Sequence, residues 1–248
     1  LGTDRLAGMN RLVAVQGCLL AALLIVLAAA CAFALSRTEK VILSDEPPLE
    51  TSAEQDALSV SVEVTEDLRT VKGDMRLTAT NRTGGDLSEI VLRAYPNAIQ
   101  QGSMTLSGAA VNGESAPIGM DSGDPSVWRI QTPWRAGETL EISWHVALIV
   151  PRGESAICRT DESALLLGAL PMMAMWENGA WRTDAYDELA GTSYGQATDV
   201  QLTLTVPTGV SAAFGGAWIG ETDNGDGTKT LTMQLSGARE ISFALRTD

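Results

Sequence analysis

The chain has one histidine, His145, in 248 residues. That bounds the available chemistry. A zinc site built from two or three histidines cannot form within it. Any Ser-His-Asp or Cys-His mechanism would have to use His145. His145 falls on the polar phase of an alternating stretch, opposite Trp144, so it is expected on the surface, and no partner carboxylate is evident from the sequence. Cys158 is the one cysteine after residue 36, which leaves that part without an internal disulfide. Asp161 and Glu162 close by would disfavour its thiolate, so a structural thiol is expected. The run Asp223-Asn224-Gly225-Asp226-Gly227-Thr228 has the oxygen-rich look of a calcium loop. Placing Gly227 at the glycine position puts Thr222 and Met233 at the two end ligands, which both fail, so a hairpin turn is expected instead. Asn81-Arg82-Thr83 is a formal glycosylation sequon and implies an exposed loop. There is no phosphate-cradling glycine motif, and no cofactor is expected.

The segment densest in unusual residues is 165–195, with Met172, Met173, Met175, Trp176, Trp181 and Tyr186 near Pro171. It reads as a strand, then an irregular loop carrying buried aromatics, then an exposed loop. Such a cluster serves either a core or an interface, and these six residues are the candidate partner-binding surface.

The elements that would position these residues follow from hydropathy. Residues 12–35 hold 24 positions without a charge, bracketed by Arg11 and Arg37. As a helix at ~1.5 Å per residue this reaches ~36 Å, enough to cross a hydrocarbon core of ~30 Å. We therefore expect an N-terminal transmembrane helix within 1–36. Its length favours a retained anchor over a cleaved signal peptide. Ala28-Ala29-Ala30-Cys31 loosely matches a lipoprotein box, which makes Cys31 a candidate lipidation site, although apolar residues continue past it. Residues 37–57 carry Pro47-Pro48 and six acids, and read as a solvated linker.

Charge agrees with this division. The whole chain has 17 bases and 31 acids, a net of −14. Residues 1–36 hold only Arg5, Arg11 and Asp4, so the remainder carries −15. That balance argues against a nucleic-acid partner, because phosphate contacts need clustered Lys and Arg. It also suits an extracytoplasmic domain that stands off an anionic membrane.

After residue 58 the apolar residues recur with period two. Val60, Val62 and Val64 alternate with Ser59, Ser61 and Glu63, and Leu140 to Leu148, Leu202 to Val206 and Leu231 to Leu235 behave likewise. This is the mark of strands with one face inward. Turn signals at Asn81–Gly85, Val111–Glu114, Arg135–Glu138 and Asp223–Gly227 separate them. About ten to twelve strands and no long amphipathic helix are expected over 58–248, an all-β, mostly antiparallel, sandwich or saddle-like domain.

Several segments occur in an order that resembles a known family. They are Asn81-x-Thr83-Gly84, DLSEIVLRAYPNA at 86–98, GETLEISWHVALIVP at 137–151, LLLGALPMMAMWENGAWRTDAYDE at 165–188, DVQLTLTVPTGVSAAFGG at 199–216 and AREISFAL at 238–245. This order is similar to the N-terminal β domain of the gluzincin zinc aminopeptidases, the metallopeptidases that include aminopeptidase N. The family's catalytic H-E-x-x-H and its Gly-x-Met-Glu-Asn loop lie in the domain that follows, and no residue here matches them. The resemblance therefore implies a domain that is not an enzyme on its own. It would bind or scaffold a separate catalytic domain or another envelope protein. Two other readings stand beside it: an N-terminal fragment of a split or truncated zinc metallopeptidase, and an independent sandwich using surface carboxylates.

Overall fold

A computed structural model describes residues 55–187 and 195–247. The expected transmembrane helix over 12–35, Cys31 and most of the 37–57 linker lie outside the described residues. In chain order the first strands are β1 (Asp56–Val64), β2 (Thr70–Thr80), β3 (Leu87–Arg93), β4 (Met104–Val111), β5 (Glu114–Ser115) and β6 (Ile118–Met120). Then come β7 (Val127–Trp134), β8 (Thr139–Ile149), β9 (Ile157–Arg159), β10 (Ser163–Leu166), β11 (Met172–Met173) and β12 (Trp176–Glu177). The last are β13 (Ala180–Trp181), β14 (Thr198–Pro207), β15 (Val210–Phe214), β16 (Ala217–Asp223), β17 (Thr228–Ala238) and β18 (Phe243–Thr247). One helical turn, α1 (Pro96–Ile99), follows β3. The described residues are thus all-β and mostly antiparallel, as the alternation predicts.

The largest sheet has eight strands in the order β16-β17-β14-β1-β2-β8-β4-β5. Its inner face is the apolar phase read from the sequence: Val60, Val62, Ile142, Trp144, Val146, Leu202, Leu204 and Met233 are all buried. At its centre β1 pairs with β14 in parallel, an exception in an otherwise antiparallel ladder. Two four-stranded sheets, β15-β18-β10-β9 and β11-β3-β7-β6, and the two-stranded β12-β13 complete the sheet inventory. Phe243, Leu245, Leu166, Ile90, Leu92 and Ile130 from the four-stranded sheets join the same buried cluster. Close packing of that cluster is the main source of stability, since apolar area leaving water contributes about 25 cal/mol per Å².

The turns obey their chemistry. Asn112 (φ 50°) and Gly113 (φ 83°) close β4 onto β5, the positive-φ pair that matches the twist of a two-residue hairpin. The Asp223–Thr228 run joins β16 to β17 as a hairpin. In it Asp226 accepts from the Thr228 hydroxyl at 2.6 Å and from its amide at 3.0 Å. No group of three or more metal-ligating side chains occurs among the described residues.

Candidate functional site

The sheet β11-β3-β7-β6 builds the region around the candidate surface. β3 runs Ile90-Val91-Leu92-Arg93, all buried, and continues into buried Ala94 and Tyr95. Short β11 lies antiparallel to it, with Met172 opposite Arg93 and Met173 opposite Leu92. Met172 and Met173 are therefore core residues, 3% and 5% exposed. The exposed part of the candidate surface reduces to Met175, Trp176, Trp181 and Tyr186, all half-buried.

Beyond β11 the chain forms a tight hairpin where an irregular loop is expected. Trp176 pairs with Trp181 across β12 and β13, and Asn178 (φ 55°) and Gly179 (φ 80°) make the turn. The two indoles meet edge to face with centroids 5.2 Å apart, the arrangement that the ring quadrupole favours. Trp181 also packs on the small buried cluster of Val91, Val127 and Ala174. The Arg182 amide donates to the Met175 carbonyl at 2.8 Å, closing the base of the hairpin.

Arg93 holds the strand that leaves this hairpin. Its side chain is fully buried. Nη1 donates to the Arg182 carbonyl at 3.3 Å, and Nη2 donates to the Asp184 carbonyl at 2.8 Å and to Ser126 Oγ at 3.1 Å. Nε has no hydrogen-bond partner, a desolvation cost that the other bonds must offset. The guanidinium lies 5.0 Å from the Tyr95 ring centroid, and Tyr95 in turn meets Tyr186 at 5.1 Å. Arg182 adds an outer layer, bonding Asp184 at 2.6 Å and pairing with Glu177. That bond from Arg182 holds the Asp184 carboxyl below its ordinary pKa, and Asp184 and Glu177 together raise that of Arg182. The strand leaving the hairpin is thus tied at Arg182 and Asp184 to one buried arginine, and the Arg182 amide ties it in turn to Met175. Nothing in composition points to Arg93; the signal is a charged residue inside an otherwise unbroken inward run.

The second polar feature surrounds His145. On the outer face of the large sheet, Thr203, Ser61, Asp74, His145 and Ser107 form a continuous cross-strand row over β14, β1, β2, β8 and β4. His145 is exposed, as its phase predicts, but it has a partner the sequence does not show: Nδ1 meets Asp74 Oδ1. Gly108 (φ 60°) sits under the ring at a bulge in β4, where an added Cβ would come within 2.5 Å of His145 Cδ2. Thr203, Ser61, Asp74 and His145 of this row line a hollow of about 590 Å³. A carboxylate on Nδ1 is the orienting half of a nucleophile-activating arrangement. His145 Nε2 has no hydrogen-bond partner among the described residues, so the activating half is missing. Cys158 is half-buried, opposite Leu165 in β10. Asn81, read as a sequon, is itself buried, and its amide donates to the Gly85 and Trp134 carbonyls, both at 2.9 Å. Its loop is exposed, but the side chain is a structural clasp.

No family model matches the sequence, and no curated protein matches it. Solved structures do. The chain is similar to an M1 zinc metallopeptidase from Deinococcus radiodurans, at 18% identity over 77% of this chain and 41% of that one, with a TM-score of 0.48. It is similar also to an M1 zinc metallopeptidase mutant from the same organism bound to a Tyr-Ser-Ala substrate, at 20% identity, 77% and 42% coverage and a TM-score of 0.48. A two-domain M1 zinc metallopeptidase mutant bound to L-tryptophan gives 18%, 77%, 43% and 0.49. This chain spans about two fifths of the length of each. These solved structures belong to the family that the motif order resembles, the zinc metallopeptidases.

Proposed function

We propose that the chain is a membrane-anchored, non-catalytic β domain that docks or scaffolds a zinc-peptidase-type catalytic domain. Residues 12–35 would hold it in the membrane, with the β domain on the extracytoplasmic side. Met175, Trp176, Trp181 and Tyr186 would form the docking surface. The observation that carries this reading is the way Arg93 ties down the strand at Arg182 and Asp184 that leaves the tryptophan hairpin, with two tryptophans and a tyrosine left half-exposed. A rigid aromatic surface binds at low entropic cost, which is how interface anchors work. In a second form of the same reading, supported by the motif order alone, the chain is the N-terminal part of a longer peptidase and the occupant follows on the same polypeptide.

Two measurements test the proposal. Membrane fractionation of the full chain, with and without residues 12–35, should find it in the membrane only when they are present. The reading frame downstream and the neighbouring genes should contain an H-E-x-x-H domain. Co-expressed with the full chain, that domain should elute with it in size-exclusion chromatography. A full chain that stays monomeric beside that domain would overturn the docking role.

A further inference from the structure

A pocket of about 210 Å³ lies beside the tryptophan hairpin, lined by Asp56, Arg82, Thr83, Trp176, Trp181 and Gln196 among others. Its charges are not equivalent. The Asp56 side chain is only 2% exposed, whereas that of Arg82 is 45% exposed. Asp56 Oδ1 accepts from Arg82 Nη1 at 2.6 Å and from the Thr80 amide at 3.1 Å. The carboxylate is thus committed to fixing the guanidinium. Arg82 stands on a loop that the neighbouring Asn81 locks: Asn81 Oδ1 accepts from the Thr83 amide at 3.0 Å and hydroxyl at 2.7 Å. Beyond Nη1, the Arg82 donors have no partner among the described residues. Trp176, Trp181 and Gln196 complete the same lining, and side chains of these types carry N–H donors beside apolar area.

We infer that this pocket binds a carboxylate carried next to an apolar or aromatic group, such as a peptide C-terminus. A preset guanidinium recognises carboxylates through parallel N–H donors, and the indoles cover the apolar body. Access decides the sign: a ligand cation would have to displace Arg82 to reach Asp56, whereas a carboxylate meets donors already in place. The volume suits one residue rather than a whole partner. The inference deepens the docking proposal, sharing its tryptophans and naming the group that they receive.

The test is calorimetry on the full chain in detergent micelles. The probes are N-acetyl-phenylalanine, its uncharged amide, and a hexapeptide ending in a free phenylalanine carboxylate. The acid should bind about tenfold or more tighter than the amide, the worth of a charge-assisted hydrogen bond. Arg82→Gln should remove that discrimination. Because that variant strands a buried Asp56, the double variant Asp56→Asn with Arg82→Gln is the cleaner control and should lose it equally. A hexapeptide tighter than the small acid indicates a peptide end as the natural ligand, and equal affinities indicate a free acid. Equal binding of acid and amide, no binding of either at millimolar concentration, or discrimination retained in a folded double variant would overturn the inference. Loss of the pocket in these assays with catalytic-domain association intact removes the inference alone. Probe binding without any such association removes the docking proposal alone.

Discussion

Replacing Arg93 by methionine isolates the tie that holds the strand at Arg182 and Asp184. Methionine approximates the length of the arginine stem without its donors, so β3 and its pairing with β11 and β7 should survive. Three hydrogen bonds from a charged donor are lost, to the carbonyls of Arg182 and Asp184 and to Ser126 Oγ, with a long ion pair to Asp124 at 3.9 Å. Each such bond is worth ~1.5–3 kcal/mol. Against that stands the cost of burying a guanidinium whose Nε is already unpaired, itself several kcal/mol, which the substitution returns. The orphaned carbonyls belong to a half-buried and an exposed residue and can turn to water. The net loss should be about 2–3 kcal/mol, which for a domain of this size lowers Tm by roughly 4–12 °C. The local effect should exceed the global one. Hydrogen exchange at residues 182–187 should approach that of an open loop, while β1, β2 and β8 keep their protection. Arg93→Lys keeps the charge but not the fork, and should fall between. If exchange over 182–187 is unchanged in Arg93→Met, the arginine does not hold this segment and the reasoning fails.

Other perturbations follow from the same geometry. Gly179→Ala forces a side chain into φ 80° and should cost about 1 kcal/mol, with near-UV circular dichroism reporting loss of the Trp176–Trp181 contact. Gly108→Ala should push the His145 ring off the β4 bulge at a cost of about 1 kcal/mol; the His145 imidazole resonances should shift while the core spectrum holds. Acid should weaken the fold. Asp67 is held below its ordinary value of 3.8 by the Thr65 hydroxyl and the Arg69 amide, Asp121 by the Gly123 amide and the Arg129 side chain, and Asp226 by the Thr228 hydroxyl and amide. Each is depressed in the folded state, so its contribution is present above 3.8 and is lost as the pH falls through the lower folded value. Denaturant midpoints measured from pH 6 downward should be flat at first and decline only in the acid range, and Asp121→Asn should flatten that decline.

Much of the fold was legible because burial on one sheet face imposes period two. Leu140, Ile142, Trp144, Val146 and Leu148 read as one inward face and are one inward face. Pairing across distance was not legible. Nothing local links β1 to β14, yet Val60 sits opposite Leu202 in a parallel ladder. His145 and Asp74 are 71 residues apart, and only the β2–β8 register makes them neighbours. The candidate surface was partly legible. Met172 and Met173 carry the same composition signal as Trp176 and Trp181, but the pairing of β11 with β3 sends them into the core. The hairpin between the tryptophans was available in Asn178-Gly179, a dipeptide suited to two successive positive φ values. The role of Arg93 is not legible in sequence because a buried charge is explained only by the carbonyls it meets, and those lie 89 and 91 residues further along the chain.

In the proposed function, the surface around Trp176 and Trp181 receives a catalytic domain. Site-specific photo-cross-linking tests it most directly. A photoreactive residue is placed at position 181 of the full chain in native membranes, and in a control at the exposed Ser61 on the large sheet. Docking at the tryptophan hairpin should give one discrete adduct from position 181, containing an H-E-x-x-H polypeptide by mass spectrometry, and none from position 61. No adduct from 181, or the same adduct from both positions, would contradict it.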